Sequence, residues 1–410
     1  MDGYDLASVR GLYSSLGEGW TYLNAHQHPQ IPEMVAGRMA TAFRQAPLLA
    51  PRQEATGSHT RMPAPGELYG DGFGAVARRA VADMVGGSAE TVVLAPSIPL
   101  LVTALARACA PRLRRGSRLL ASAGDSEWLT RPFAAYARDV RWIEPDVGSG
   151  RSAAAEYEQH MDGSVRLAVA TAADPYTGIV GEISALADIV HQARAWLLID
   201  ASSYAPYRPV DIDHWDADIV LLDMGALGGP QVAAAIFRTE DMVQGLGYAN
   251  VADLEYRCGL GGSVEPALLA GVGAVVDHYA GLSDAVRGLR RRRIAHSMGL
   301  LAEHYEDLMS YCVDSLLNIP AVHIVGISGE TGDPYADHIA RLSFLLTGVP
   351  AATVHQRLVA NGVVCGLSPS TPLSRAMGVD EAGGAVTLSF SPFNSTADID
   401  QLVRVLTSLR

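Results

Sequence analysis

Residues 196–238 leave the chain few folds to choose from. They read WLLIDASSYAPYRPVDIDHWDADIVLLDMGALGGPQVAAAIFR. One apolar run (196–199) ends on Asp200 and a second (219–222) on Asp223. A third (232–237) follows the turn Gly225-Ala226-Leu227-Gly228-Gly229-Pro230. Short continuous runs of Leu, Ile, Val and Ala between turn residues are strands covered on both faces; half-exposed strands would alternate. Such strands belong to mainly parallel sheets flanked by helices, and these sheets bind ligands beyond the carboxyl ends of their strands. Asp200 and Asp223 are therefore the first site candidates.

Strand–helix alternation continues on either side. Strands are expected at 91–95, 119–121, 140–143 and 167–170, and helices at 100–108 and 183–195. A long helical region is expected over 267–317, with RGLRRRR (287–293) as a solvated or ion-paired face. Strands at 322–327, 340–346 and 386–390 and helices at 352–360 and up to 409 complete a smaller unit. The expected organisation is an arm (1–20), a large domain (21–280) and a small C-terminal α/β domain (281–410).

Composition excludes several classes of function. Only 18% of the 410 residues are charged and 49% are hydrophobic, which suits an ordered globular chain. A net charge of −13 makes nucleic acid and anionic membranes poor partners. No apolar run approaches the ~20 residues of a membrane span. The start MDGYDLASVR lacks a basic-then-apolar signal, so a cytoplasmic location is expected. Cys109, Cys258, Cys312 and Cys365 are widely spaced, with no CxxC, and read as reduced core residues. All 31 basic residues are arginine. Arginine replaces surface lysine at little cost, but it cannot replace a lysine whose amine does covalent chemistry.

Several local patterns suggest ligands. His26 and His28 share one face of a short strand; without a third ligand they suit a substrate pocket better than a metal and read best as plain loop histidines, and no metal is expected. Gly70-Asp71-Gly72-Phe73-Gly74 precedes a helix but follows no strand, which argues against a nucleotide loop. Pro96-Ser97-Ile98-Pro99 opens a helix whose free N–H groups would suit a phosphate. Trp128 is a candidate cover for an aromatic ligand ring.

Together these segments resemble the class V aminotransferase branch of fold-type I pyridoxal-phosphate enzymes, which includes cysteine desulfurases and isopenicillin-N-epimerase-like proteins. The likeness rests on strand-Asp200, strand-Asp223, GALGGP and a further strand. It extends to the Tyr22-Leu23-Asn24-Ala25 opening, the turn at Ser97, Gly262-Ser263 and the SFSPFNSTADID ending. It implies an α/β fold of the PLP-transferase type I kind and pyridoxal 5′-phosphate as cofactor. Asp200 would then pair with the pyridinium nitrogen. Ser97 and the Ile98 N–H would hold phosphate, Trp128 (less well Ser126) would stack on the ring, and Ser203 and Gly225 would flank it. Ser263 would reach the phosphate of a neighbouring subunit, which implies a homodimer with shared active sites. His26 and Arg375 are the substrate candidates.

The departures from the family pattern concern its chemistry. The pattern runs small residue, then H-K-x-x-G-P; here the Schiff-base lysine position is Ala226, and Asp223 occupies a position that is usually small and neutral. Pro175 stands where many relatives carry a polar residue. Thr387 stands where many carry the arginine for a substrate carboxylate. The desulfurase nucleophile position falls near Thr371, which Cys365 does not match. The resemblance implies a transferase or lyase acting on an amino acid or amino-acid-derived conjugate in specialised metabolism. Ala226 then reads as a replacement of the chain's single, catalytic lysine. The alternative is a naturally lysine-less relative that binds ligand without catalysis or holds the cofactor non-covalently.

Overall fold

In the computed structural model, which describes residues 4–14, 19–51, 63–113, 116–333 and 336–408, the three apolar runs become strands of one large sheet. Its strands are β1 (Val92–Ala95), β2 (Arg118–Ser122), β3 (Asp139–Ile143), β4 (Val165–Thr171), β5 (Trp196–Asp200), β6 (Ile219–Asp223) and β7 (Ala233–Phe237). The spatial order is β1-β7-β6-β5-β4-β2-β3. All pairings among β2 to β6 are parallel. β7 runs antiparallel to both β6 and β1, because the tight turn after Asp223 leaves no room for a crossover helix.

Helices cover both faces, so successive residues of one strand enter different cores. In β6, Val220 and Leu222 join one buried cluster while Ile219 and Leu221 join the other. Burying each such side chain stabilises the sheet by about 1.5–3 kcal/mol. The first cluster is continuous with the C-terminal sheet through Leu342, Phe344 and Leu388, so one core ties the two sheets together.

The C-terminal sheet contains β8 (Val322–Ile324), β9 (Arg341–Leu346), β10 (Gly366–Leu367) and β11 (Val386–Ser389), in the antiparallel order β8-β9-β11-β10. The N-terminal segment lies along it: Thr21–Tyr22 pairs with Val363–Val364, and Asn24 bridges Ser389. That contact carries His26 from one end of the chain to the other end's sheet. The expected helical region 267–317 is two helices, Pro266–Ala280 and Arg290–Leu317. The break contains Gly288 at φ +103°, a value that side-chain-bearing residues resist. Arg290 pairs with Asp83 and Asp277, and Arg291 with Asp211, so the basic run docks the second helix onto the large unit. The Gly70 segment forms a short 3-10 turn, in which the Asp71 carboxylate accepts the Leu68 N–H at 2.8 Å. Among the described residues, no helix is long and apolar enough to cross a membrane.

Candidate functional site

β4, β5 and β6 end at one edge of the large sheet, where Asp200 and Asp223 stand. Asp200 lies opposite Thr171 on one side and Leu221 on the other, so Asp223 projects two residues further along. Asp200 is buried, and its Oδ1 accepts the Ser202 N–H at 3.0 Å and the Ser202 hydroxyl at 2.6 Å. Among the described residues no protein donor reaches Oδ2. Burial pushes this carboxyl up to about 6; the Ser202 bonds oppose the shift and Asp223 adds to it. A buried carboxyl with one uncommitted oxygen suits a cationic N–H donor.

The turn after β6 holds Asp223. Its Oδ1 accepts the Gly225 N–H at 2.9 Å. Burial raises this carboxyl, against the opposing pull of the Gly225 and Ala226 N–H groups. Gly228 adopts φ +76°, and a Cβ there would sit 2.7 Å from the Gln30 carbonyl. The N-terminal segment therefore packs directly on the turn. The two together line an open cleft of about 460 Å³ whose walls include His26, Ser203, Asp223, Gly225, Ala226 and Arg341.

Arg341 escaped the sequence reading, in which 340–346 was simply a strand. It is only 2% exposed. Its Nη1 donates to the Pro175 carbonyl at 2.9 Å and its Nη2 to the Tyr207 hydroxyl at 3.3 Å, while Nε has no partner. The guanidinium carbon sits 5.2 Å from the Tyr207 ring centroid. His26 lies nearby, with its backbone N–H donating to Ser389 Oγ at 2.8 Å and its ring edge-on to Tyr176. Burial, reinforced by the Arg341 charge, pulls this imidazole down to about 2, so it is neutral at ordinary pH. A cation in a strand otherwise reading as apolar was the available signal for Arg341.

Ser97 caps the helix Ile98–Cys109 without a side-chain capping bond, and Ile98 begins its first turn. Ala95, at the end of β1, and Asp223, at the end of β6, both pair with Ala233 of β7. This helix N-terminus therefore opens on the same sheet edge as Asp223. Asp125, also absent from the sequence candidates, binds Thr171 at 2.8 Å through Oδ1, while its Oδ2 is buried without a partner. Burial pushes Asp125 up to about 7, with Asp174 and Asp200 adding to the shift. It lines a separate cavity of about 70 Å³ with Tyr157, Thr171 and Asp174.

Three candidates lie elsewhere. Trp128 is 39% exposed and lines a surface groove with Pro99, Thr103 and Tyr136. Its helix, Glu127–Ala134, buries Leu129, Thr130 and Phe133 and so turns residue 128 outward, and Trp128 does not line the cleft of its own chain. Arg375 is exposed on the short helix Pro372–Ala376 and donates to Ser370 Oγ at 2.9 Å; the arginine of the cleft is Arg341 instead. Ser263 is exposed, with its hydroxyl on the Leu260 carbonyl at 2.5 Å, and does not line the cleft of its own chain. Ser126 caps the Trp128 helix and Thr371 the Arg375 helix. Thr387 is buried in a ring of hydroxyls with Ser343 and Ser368, at 2.6–2.9 Å. Cys365 is buried and its thiol is pushed up to about 12, which leaves it unreactive. His28 is exposed, and among the described residues no group of three His, Cys, Asp or Glu side chains is placed to hold a metal.

Comparison with known proteins fits this arrangement. The aminotransferase class-V family pattern matches residues 75–402. "Uncharacterized protein MT3887" of Mycobacterium tuberculosis (strain CDC 1551 / Oshkosh) is 34% identical over 415 residues, covering 99% of each chain. "Probable cysteine desulfurase 1" of Mycobacterium leprae (strain TN) is 24% identical over 271 residues, covering 64% of this chain and 42% of that protein. The crystal structure of the cysteine desulfurase CsdA from Escherichia coli superposes with a TM-score of 0.77 at 16% identity, over 99% of this chain and 98% of that one. The fold is thus the α/β PLP-transferase type I fold with a mainly parallel central sheet. Class-V aminotransferase and cysteine desulfurase relatives depend on pyridoxal 5′-phosphate. The chain belongs to the aminotransferase class-V family.

Proposed function

We propose that this chain holds pyridoxal 5′-phosphate or its amine form by non-covalent contacts beside Asp200 and Ala226, and receives an amino-acid-type ligand in the same cleft. The observation that carries this reading is Asp200, a buried strand-end carboxyl whose Oδ2 has no protein donor among the described residues. That oxygen suits a protonated ring nitrogen. Ser97 Oγ and the free N–H groups of the helix Ile98–Cys109 suit a phosphate. Asp223 opposes a phosphate when ionised; burial raises its carboxyl and so eases protonation, against the pull of the Gly225 and Ala226 N–H groups. When bound, such a cofactor supplies an electron sink for the bonds around an amino-acid Cα. The chain's own contribution is to hold a proton on the ring nitrogen through Asp200 and to present the neutral imidazole of His26 to the cleft.

A lysine amine is absent from the whole sequence, so no covalent link of the family's usual kind is available. One fact favours the reading that Ala226 replaces a catalytic lysine: arginine supplies every other cation, so a single change would remove the last lysine. Asp223, Gly225 and Thr387 weigh against it. Each departs from the family pattern, and a change at 226 alone accounts for none of them. A site that diverged as a unit accounts for all four. A role in specialised metabolism, in the cytoplasm and as a homodimer belongs to the same proposal; Ser263 touches a phosphate only if a second copy brings it.

Titration of the purified chain and of Ala226→Lys with pyridoxal 5′-phosphate, followed by borohydride reduction and mass spectrometry, tests the proposal. The expected result is saturable binding to both, with covalent label only in the lysine variant and only at residue 226. Absence of binding to either chain would refute the cofactor reading. A lysine codon at 226 in the source gene would establish the replacement reading.

A further inference from the structure

We infer that Arg341 is the anchor for a carboxylate group on the ligand that enters the cleft. This rests on the reading above for the occupant, but the argument comes from Arg341 itself. A guanidinium taken out of water is costly unless a negative charge and a full set of acceptors meet it. Arg341 is 2% exposed, yet its two bonds go to neutral acceptors, the Pro175 carbonyl and the Tyr207 hydroxyl. Nε is buried without a partner, and no carboxylate forms an ion pair with this residue among the described residues. The same side chain lines the open cleft with Ala226 and His26. A buried cation with unused donors on the wall of a cleft calls for an anion supplied from outside.

The surroundings select the kind of anion. Ser343 follows Arg341 by two residues, so both lie on one face of β9, and Thr387 stands across from Ser343. The Ser343, Ser368 and Thr387 hydroxyls bond to one another and are occupied. Arg341 is therefore the strong donor on that patch of sheet. Its remaining N–H groups match the two oxygens of a planar carboxylate. Asp223 lines the same cleft and His26 is neutral, so one guanidinium balances a single negative charge; a phosphate dianion would leave a surplus.

The test uses two stable conjugates, N-(5′-phosphopyridoxyl)-L-alanine and N-(5′-phosphopyridoxyl)ethylamine, which differ only in the carboxylate. Isothermal titration of the full chain should show the alanine conjugate binding about 10- to 100-fold tighter, the range for hydrogen bonds to a charged partner. The preference should collapse in Arg341→Gln and Arg341→Met, while affinity for the ethylamine conjugate is kept. Equal affinities in the unsubstituted chain, or a preference that survives in either variant, would overturn the inference. If neither conjugate binds, the cofactor reading fails and Arg341 is judged alone. Acetate and propionate should then raise the melting temperature of the unsubstituted chain but not of Arg341→Met, and no Arg341-dependent rise overturns the inference. Where Arg341→Met fails to fold, Arg341→Gln and Arg341→Lys serve, the lysine retaining part of the preference because it keeps charge without the planar fork.

Discussion

Asp125→Asn isolates one of two opposing electrostatic contributions that otherwise conceal each other. Burial holds the Asp125 carboxyl at about 7, against about 3.9 in an unfolded chain. Between these values the unfolded state has released a proton that the folded state keeps. Stability from this group is therefore full at low pH and is lost as pH rises towards 7, by about 1.4 kcal/mol per pH unit. From pH 5 to 8 that amounts to about 3 kcal/mol, and Asp200, held at about 6, adds about 1 kcal/mol in the same direction. The histidines act oppositely. His26 is pulled to about 2 and His278 to about 4, chiefly by burial, so below about 6.5 the unfolded rings bind protons that the folded rings refuse. Falling from pH 6.5 to 5 costs about 2 kcal/mol for each. The carboxyl and histidine contributions therefore oppose each other across this window. Asn at 125 keeps the Thr171 contact but has no proton to lose. Its stability should therefore gain about 3 kcal/mol more than the parent's between pH 5 and pH 8. Urea midpoints followed by circular dichroism at four pH values measure the difference. Parallel profiles for parent and variant would show that Asp125 is not the buried acid described here.

Gly228→Ala should cost about 1–3 kcal/mol of stability, since it strains a φ of +76° and sets a Cβ 2.7 Å from the Gln30 carbonyl; a melting temperature within error of the parent's would contradict the packing of the N-terminal segment on the turn. Asp223→Asn should make pyridoxal 5′-phosphate binding less sensitive to pH. In the parent the carboxyl repels a phosphate once ionised, and burial shifts that ionisation upward, so affinity should fall relative to the variant as pH rises; fluorescence titrations over a series of pH values that give the same ratio throughout would remove Asp223 from the phosphate's surroundings.

What the sequence revealed was set by local pattern. The runs ending on Asp200 and Asp223 and the run after Pro230 have their periodicity and their turn residues within a few positions of each other, so β5, β6 and β7 were legible, and with them the edge that carries the site. For Trp128, motif order does not show which way the helix faces, and the structure turns it outward. Leu129 and Phe133 already mark the buried side, and residue 128 stands a quarter-turn away from it. Arg341 was invisible for a different reason. Its partners come from residues 175 and 207, far off in sequence, and its meaning lies in the counter-charge it lacks. Arg375, the arginine the sequence offered, is exposed, whereas Arg341 is buried on the wall of the cleft. The long helical region was read as continuous because apolar periodicity resumes beyond Gly281 and Gly288, and only the backbone at Gly288 shows the break.

The charges around the cleft bear on what the ligand must carry. Asp223 Oδ1 accepts the Gly225 N–H, and the Ala226 N–H also stabilises its ionised form. A cation placed beside Asp223 would favour its ionised form. With alanine at 226, the cleft holds a carboxyl raised by burial, Asp223, and a cation whose Nε has no partner, Arg341. On that balance the ligand is expected to bring both a positive group for Asp200 and a negative one for Arg341.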